Sequence, residues 1–267
     1  ITGMDYFQIV VLALIQGVTE FLPVSSSAHL ILPAHLLGWP DQGLSFDIAV
    51  HAGTLFAVLV YFRDDLKQFV EAGVEYWTDR RLNEHATLLG KLILATAPIV
   101  IAGYFLKPTI ENEFRSLTVI ALATIGFGLL LGIADRHSQN RTELTSLSYV
   151  EALFIGVMQI LALVPGTSRS GITLTAALLL GLNRVHAARF SFLLSIPVIG
   201  AASILAIREV SANNVDTNWP HFALGMGISG MTAYFCITIF LRLISRTRLM
   251  PFVIYRILLG TFLLTLL

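Results

Sequence analysis

Long apolar stretches alternate with short polar ones along almost the whole chain. Ten apolar segments fall at roughly 6–22, 25–37, 46–62, 88–106, 117–134, 148–164, 170–181, 187–207, 220–243 and 250–267. A helix needs about 20 residues to span a bilayer, with a range of about 17–25, so most of these segments are long enough to cross one. Two segments, 25–37 and 170–181, are too short, and each follows a polar break that contains proline. The pattern predicts an all-α polytopic membrane protein with two interrupted places.

Composition supports a membrane protein and argues against a nucleic-acid partner. Of the 267 residues, 55% are hydrophobic and only 13% are charged, and the charged fraction is about half of what a soluble domain carries. The net charge is zero, so no basic surface for nucleic acid is indicated. The first apolar run has neither a preceding Lys or Arg nor a small-residue cleavage site after it. We therefore expect no removable signal peptide.

The two polar breaks resemble each other. Residues 21–29 can be aligned with residues 163–171, and a glutamine, Gln16 or Gln159, precedes each break by six or seven positions. The alignment pairs Pro23 with Pro165, Ser25 with Thr167, Ser26 with Ser168 and Ser27 with Arg169. The chain therefore reads as a single integral membrane domain, 1–267, made of two repeats of five helical segments each, about 1–140 and 145–267.

The short segments predict the topology of each repeat. If the first two segments of a repeat form a re-entrant pair, each repeat crosses the membrane three times, and an odd number of crossings inverts the second repeat. Inverted repeats with broken helices are a known membrane architecture, and the interrupted segments point to its binding site. We expect two inverted-topology repeats with about six full spans and four re-entrant helices. Ten full crossings would give the same inversion, but the two short segments favour re-entrance.

The basic residues predict the orientation. Thirteen Lys and Arg residues fall on one predicted face and three on the other, and Arg169 falls on neither. The thirteen are Arg63, Lys67, Arg80, Arg81, Lys91, Arg136, Arg141, Arg184, Arg189, Arg242, Arg246, Arg248 and Arg256; the three are Lys107, Arg115 and Arg208. By the positive-inside rule the first face is cytoplasmic, which places both termini and the first break on the outer side. The hydrophilic stretch 63–87 is expected to be a cytoplasmic surface loop.

The first break gathers ionisable groups in an apolar chain. Gln16 and Glu20 are four residues apart and share a helix face, and Ser26 and His29 share a face of the next short helix. Pro23 ends the first helix, and a serine after it can cap the second. An intramembrane carboxylate is costly and indicates a functional site. Each hydroxyl alone is more often a cap or an interhelical contact, and Gln16 could equally make an interhelical hydrogen bond.

The second break has the composition of an anion site. Its small residues allow close backbone approach, its hydroxyls can donate, and its arginine offers a planar fork that suits phosphate. These residues are Gly166 and Gly171, then Thr167, Ser168 and Ser170, then Arg169. A helix N-terminus that points into a cavity also attracts anions. Together the two breaks predict a pocket for a strongly anionic group at membrane depth.

Residues 16–29 and 165–171 resemble the two signature motifs of undecaprenyl-pyrophosphate phosphatases, the bacitracin-resistance family, and residues 190–197 and 251–256 are similar to further stretches of it. The resemblance implies a bacterial inner-membrane enzyme that hydrolyses undecaprenyl pyrophosphate to the monophosphate carrier and phosphate during peptidoglycan synthesis. Bacitracin would act through the shared lipid substrate. It also implies a divalent cation, Mg²⁺ or Ca²⁺. Many members have an acid where this chain has Gln16, so we expect metal binding chiefly at Glu20 and weakly at Gln16.

Metal-assisted phosphoryl transfer is the mechanism that these motifs favour. We expect Arg169 and the polar groups of both breaks to hold the pyrophosphate, and Ser26 to attack it with His29 or Glu20 as the base. The polar groups are Gln16, Ser25, Ser27, Gly166, Thr167, Ser168 and Ser170. Attack by His29, or by a metal-activated water, is the competing hypothesis. A transporter or flippase for an anionic lipid is the second class of function. Whether two copies associate is left open.

Overall fold

The computed structural model describes residues 4–40, 42–80, 82–114, 116–138, 143–212 and 218–267. In these ranges the regular structure is helical, as predicted. The α-helices are α1 Tyr6–Thr19, α2 Ser26–Leu30, α3 Leu32–Leu37, α4 Gly43–Tyr61, α5 Arg63–Asp79, α6 Glu84–Glu113, α7 Leu117–His137, α8 Tyr149–Gln159, α9 Arg169–Leu179, α10 Arg184–Ala212, α11 Trp219–Ile244 and α12 Met250–Leu264. Short 3₁₀ turns occupy Leu144–Ser146 and Ile160–Leu163.

Five of these helices are long and apolar enough to cross a membrane: α4, α7, α10, α11 and the Glu84–Leu106 part of α6. This confirms a multi-pass membrane protein. The prediction of about six full spans counted segment 250–267 as one of them. That segment forms the helix α12 of only 15 residues, so five helices reach spanning length in the described part of the chain.

The stretch 63–87 is not a loop, which corrects the sequence-based expectation. Its first part forms the helix α5, whose first turn carries Asp64 and Asp65 where the helix dipole favours negative charge. Phe69 and Ala72 on one face of α5 are buried, and Asp65 Oδ1 accepts a 2.8 Å hydrogen bond from Arg189 at the start of α10. The many charged residues of this stretch made its amphipathic helical pattern hard to recognise in the sequence. Among the basic residues of the charge count, Arg81, Arg115, Arg141 and the side chain of Lys107 lie outside the described residues.

Small residues bring the helices into backbone contact. A Cβ atom built on Gly53 of α4 would lie 2.2 Å from the Met226 carbonyl oxygen of α11, and one on Gly230 would lie 2.9 Å from the Gly53 carbonyl oxygen. Helix α1 packs against α11 in the same way, since a Cβ on Gly17 would lie 2.6 Å from the Ser229 carbonyl oxygen. Such contacts are how helices associate in lipid, where apolar surface alone does not drive packing.

An aromatic cluster lies directly behind the first break. Phe21 follows Glu20 in the chain, is fully buried, and meets Phe192 of α10 edge to face with ring centroids 5.2 Å apart. Phe192 in turn contacts Phe240 of α11 at 5.8 Å. The packing role expected for Phe190 and Phe192 is confirmed, because both are buried in the main apolar core. This core fixes the backbone next to Glu20.

Candidate active site

The two breaks end in the same unusual turn. Ser25 precedes α2 and Ser168 precedes α9, and their φ angles are 75° and 70°, a conformation that is uncommon for residues other than glycine. Each serine caps its helix: Ser25 Oγ accepts from the Ala28 N–H at 3.4 Å, and Ser168 Oγ accepts from the Gly171 N–H at 3.1 Å. The turns replace the missing helical hydrogen bonds at both breaks.

These caps correct the alignment of the breaks by one residue. Asp5 and Ser148 open α1 and α8 with capping boxes, and the same spacing that separates this pair separates Ser25 from Ser168. The pairing of Ser25 with Thr167 is therefore wrong, and Ser26 corresponds to Arg169. Matching the two prolines gave the wrong register because the prolines lie outside the helices, whereas the caps fix the register.

The two breaks touch each other, as the sequence predicted. The Gly166 N–H of the second break donates to Ser27 Oγ of the first at 3.2 Å. In return Ser170 Oγ donates to the Leu22 carbonyl oxygen at 2.9 Å. Two reciprocal hydrogen bonds thus join segments that lie far apart in the sequence.

Glu20 is the centre of the polar cluster. Its Oε1 accepts a 3.0 Å hydrogen bond from Arg169 Nη2, and its Oε2 accepts from Gln16 Nε2 at 2.9 Å and from Ser26 Oγ at 3.2 Å. The Glu20 side chain is 8% exposed and that of Arg169 is 12% exposed. A buried ion pair is tolerated only when its remaining polar atoms are also satisfied, which Gln16 and Ser26 achieve for Glu20.

The arrangement brings a hydroxyl, a carboxylate and a guanidinium together. The Ser26 hydroxyl already points its proton toward a carboxylate oxygen, the geometry that general-base activation needs. Arg169 keeps part of its fork free of Glu20, because Nη1 makes only a long contact of 3.4 Å to the Ser191 carbonyl oxygen. The guanidinium can therefore reach a phosphate without leaving the site.

His29 does not join this cluster. Its Nδ1 lies 2.7 Å from the Ser25 carbonyl oxygen and its Nε2 lies 2.6 Å from the Tyr255 hydroxyl. The two rings are stacked with their centroids 5.6 Å apart. Both ring nitrogens thus have partners other than Ser26 and Glu20, so the helix face predicted for Ser26 and His29 does not bring their polar atoms together. The role of His29 as base stays a prediction.

The other predicted binding residues build the walls of the site. The hydroxyls of Ser25 and Ser27 lie 3.1 Å apart, and those of Ser168 and Ser170 lie 3.2 Å apart. These four hydroxyls therefore make hydrogen bonds inside the protein, within one break or from one break to the other. Gly166 has a φ angle of 94° and a Cβ there would lie 2.3 Å from the Ile120 carbonyl oxygen, so only glycine fits. Thr167 is fully buried, and its hydroxyl has no partner in the described structure.

His51 belongs to the site although sequence reasoning missed it. It lies on α4, and its Nε2 is 3.9 Å from Glu20 Oε2. The signal was available, because His51 is an ionisable residue within the apolar segment 46–62 and such residues indicate function. No recognisable motif surrounds His51, so the sequence alone did not single it out.

Arg256 is a second residue that the sequence misplaced. The charge count put it on the cytoplasmic face, but it is fully buried, and within the described residues its guanidinium donates to backbone carbonyl oxygens. These belong to Pro23 at 3.4 Å, Ala123 at 3.5 Å, Thr124 at 3.0 Å, Gly166 at 3.0 Å and Thr167 at 2.9 Å. One side chain of α12 thus ties both breaks to α7.

The chain matches a family of known proteins over almost its whole length. The family model described as bacitracin resistance protein BacA matches residues 9–262. The chain belongs to the BacA family. It is 52% identical to an undecaprenyl-diphosphatase of Alcanivorax borkumensis over 98% of both chains, and 52% identical to one of Hahella chejuensis over 96% of both. An undecaprenyl-diphosphatase of Alteromonas mediterranea is 50% identical over 98% of both chains.

The residues around Glu20 fit a divalent cation only if phosphate oxygens complete its coordination. Within the described residues no group of three or more His, Cys, Asp and Glu side chains could hold a metal alone. Mg²⁺, however, is often held by one or two carboxylates together with substrate phosphates. Gln16 Oε1 is buried and has no hydrogen-bond partner in the described part of this BacA-family chain. That oxygen is an unused ligand next to the Glu20 carboxylate.

Proposed function

We propose that this chain hydrolyses undecaprenyl pyrophosphate to undecaprenyl phosphate and phosphate at the site where its two breaks meet. The observation that carries the proposal is the single carboxylate of Glu20, which holds the Arg169 cation of one break and the Ser26 hydroxyl of the other. Phosphoryl transfer depends mainly on positioning and charge neutralisation, and this cluster supplies both. Membership of a family whose relatives are named undecaprenyl-diphosphatase supports the same substrate.

The mechanism that best fits the contacts is a covalent one. Arg169 binds the non-bridging oxygens of the terminal phosphate, next to the N-terminus of α9. Ser26 Oγ forms a bond to the terminal phosphorus while its proton passes to Glu20 Oε2, and the bond to the bridging oxygen breaks so that undecaprenyl phosphate leaves. Water then cleaves the phosphoserine and releases phosphate. The short helix α2 contributes little to phosphate binding, because its five residues give a small helix dipole.

Two alternatives to Ser26 keep their place in the proposal. His29 could attack the phosphorus, or a metal-activated water could do so without a covalent intermediate. Glu20 is better placed than His29 to serve as the base for Ser26, because both ring nitrogens of His29 contact other groups.

The proposed cation is Mg²⁺ or Ca²⁺. Glu20 would hold it, with weak help from Gln16, whose amide oxygen has to turn toward the carboxylate. When bound, the ion neutralises charge on the phosphate oxygens. Such help matters here because, among the described residues, Arg169 is the one arginine that is hydrogen-bonded to Glu20.

We also propose that the two repeats, about 1–140 and 145–267, have inverted topology and that each opens with a re-entrant pair. The matching capping boxes and positive-φ serines of α1–α2 and α8–α9 support an internal repeat. By the charge count, both termini and the active site would face the periplasm. In that position the enzyme would recycle the lipid carrier for peptidoglycan synthesis in the bacterial inner membrane. Bacitracin would compete for the same lipid, and association of two copies stays a prediction.

A phosphate-release assay separates the phosphatase from a transporter or flippase. Detergent-purified chain, given undecaprenyl pyrophosphate and Mg²⁺ or Ca²⁺, is expected to release phosphate, to stop when a chelator is added, and to resume when excess cation is restored. A carrier has no need for a hydroxyl hydrogen-bonded to a base. Lipid movement across vesicles that contain only this protein, without phosphate release in detergent, would favour a carrier and contradict the phosphatase proposal.

A further inference from the structure

The orientation of the His51 ring fixes which nitrogen faces the site. Its Nδ1 lies 2.7 Å from the carbonyl oxygen of Asp47, one turn earlier in α4. A carbonyl only accepts hydrogen bonds, so Nδ1 carries the proton, and a neutral ring then has its lone pair on Nε2. That lone pair faces Glu20 Oε2 at 3.9 Å. A lone pair and a carboxylate oxygen repel each other unless something positive lies between them.

A third donor with an unused oxygen lies beside this pair. Gln16 is fully buried, and its Nε2 donates to Glu20 Oε2 at 2.9 Å. Its Oε1 has no hydrogen-bond partner among the residues that the structure describes. A half-turn of the amide would exchange nitrogen and oxygen, which have nearly the same shape. Buried amide oxygens without partners are costly, and a cation at Glu20 would give this oxygen a partner.

We propose that His51 Nε2, Glu20 Oε2 and Gln16 Oε1 form one cation site, in which His51 is the ligand that selects the metal. Two ligands that each lie about 2.1 Å from one ion are about 3–4 Å apart, and the 3.9 Å between His51 Nε2 and Glu20 Oε2 fits that range. The hydrogen bond from Nδ1–H to a backbone carbonyl is the usual support of a metal-binding histidine. The inference rests on the proposed metal dependence and extends it to the identity of the ion.

The donor set predicts a metal preference. One imidazole nitrogen and two oxygens suit first-row transition ions such as Mn²⁺, whereas Mg²⁺ and Ca²⁺ prefer oxygen alone. Three protein ligands leave coordination positions open for phosphate oxygens or water, as in catalytic metal sites. The His51 side chain is 37% exposed, so substrate can approach from its side.

Binding of Mn²⁺ alone to the purified full chain, without lipid, tests the inference. The wild type is expected to bind Mn²⁺ more tightly than Mg²⁺, and the pulsed electron paramagnetic resonance spectrum of the bound ion should show coupling to an imidazole nitrogen. His51→Leu is expected to lose that coupling and to bind Mn²⁺ at least about tenfold more weakly. His35→Leu is the matched control, because His35 Nδ1 also lies next to a carbonyl four residues earlier, at 3.1 Å from Ile31 O.

The inference is overturned by any of three results: no Mn²⁺ binding, bound Mn²⁺ without nitrogen coupling in the wild type, or unchanged affinity in His51→Leu. A proton between His51 and Glu20 would then account for the contact. The wild-type spectrum needs no variant, so a folding defect in His51→Leu cannot decide the outcome. Phosphate release with Mg²⁺, measured on the same preparations, shows whether the proposed phosphatase survives when the manganese site fails.

Discussion

Ser26→Ala is expected to lower kcat by a factor on the order of 10³ or more, because the proposed nucleophile is removed while the phosphate site remains. In the described structure the Ser26 hydroxyl donates one hydrogen bond, to Glu20 Oε2 at 3.2 Å, so its loss should leave KM nearly unchanged. Steady-state phosphate release from undecaprenyl pyrophosphate measures both constants. Acid quenching during a single turnover should also trap a phosphoserine in the wild type that the variant lacks.

Ser195→Ala is the matched control for this experiment. Ser195 is fully buried in α10, and its hydroxyl donates to the Phe192 carbonyl oxygen within the same helix at 2.6 Å. It should keep nearly wild-type turnover. If Ser26→Ala itself turns over at nearly the wild-type rate, Ser26 is not the nucleophile, and attack by His29 or by water takes its place.

Arg256→Met is expected to prevent stable folding. The arginine is fully buried and donates to carbonyl oxygens of both breaks and of α7. Methionine has a similar length but no donor, so several buried carbonyls lose their partner, at a cost on the order of 1–3 kcal/mol each. That total approaches the whole stability of an ordinary domain, about 5–15 kcal/mol. The measurement is the midpoint of thermal aggregation in detergent, followed by size-exclusion chromatography.

Two further variants provide a stability control and test whether Arg256 also positions the site. Arg242→Met, an exposed arginine on α11, should leave the midpoint of thermal aggregation unchanged. Arg256→Lys keeps the charge but cannot reach carbonyls on three sides, so it should fold with reduced kcat and little change in KM. A wild-type aggregation midpoint in Arg256→Met would show that the buried hydrogen bonds contribute nothing to stability.

The sequence predicted the helical membrane fold and the meeting of the two breaks for physical reasons. An apolar run in lipid has to form a helix, because backbone groups there have no other hydrogen-bond partners. Glu20 and Arg169 are opposite charges in apolar surroundings, so each needs a partner, and their 3.0 Å contact satisfies both. The identity of such pairs can be anticipated whenever ionisable residues are few.

The remaining features depend on tertiary contacts that leave no local pattern. Arg256 is stabilised by hydrogen bonds to backbone carbonyls, and every residue type has such a carbonyl, so nothing in the sequence marks its partners. His51 meets Glu20 only because α4 folds back next to α1. The position of His29 against Tyr255 likewise depends on where α12 packs.

The central claim is that Glu20 of the first break and Arg169 of the second act as one unit, and a double-mutant cycle in kcat/KM tests it most directly. Arg169→Lys alone is expected to cost more than tenfold, on the order of 1–3 kcal/mol, because a point charge lacks the planar fork. Arg136→Lys, an exposed arginine at the end of α7, is the control and should cost nothing.

The cycle combines Glu20→Gln, which keeps the shape of the side chain but removes its charge, with Arg169→Lys. Residues that work as a unit give strongly non-additive losses, so the double variant should lose little more than the worse single variant, with a coupling energy of about 1 kcal/mol or more. If the two losses simply multiply, the residues act independently, and the claim of one shared active site is wrong.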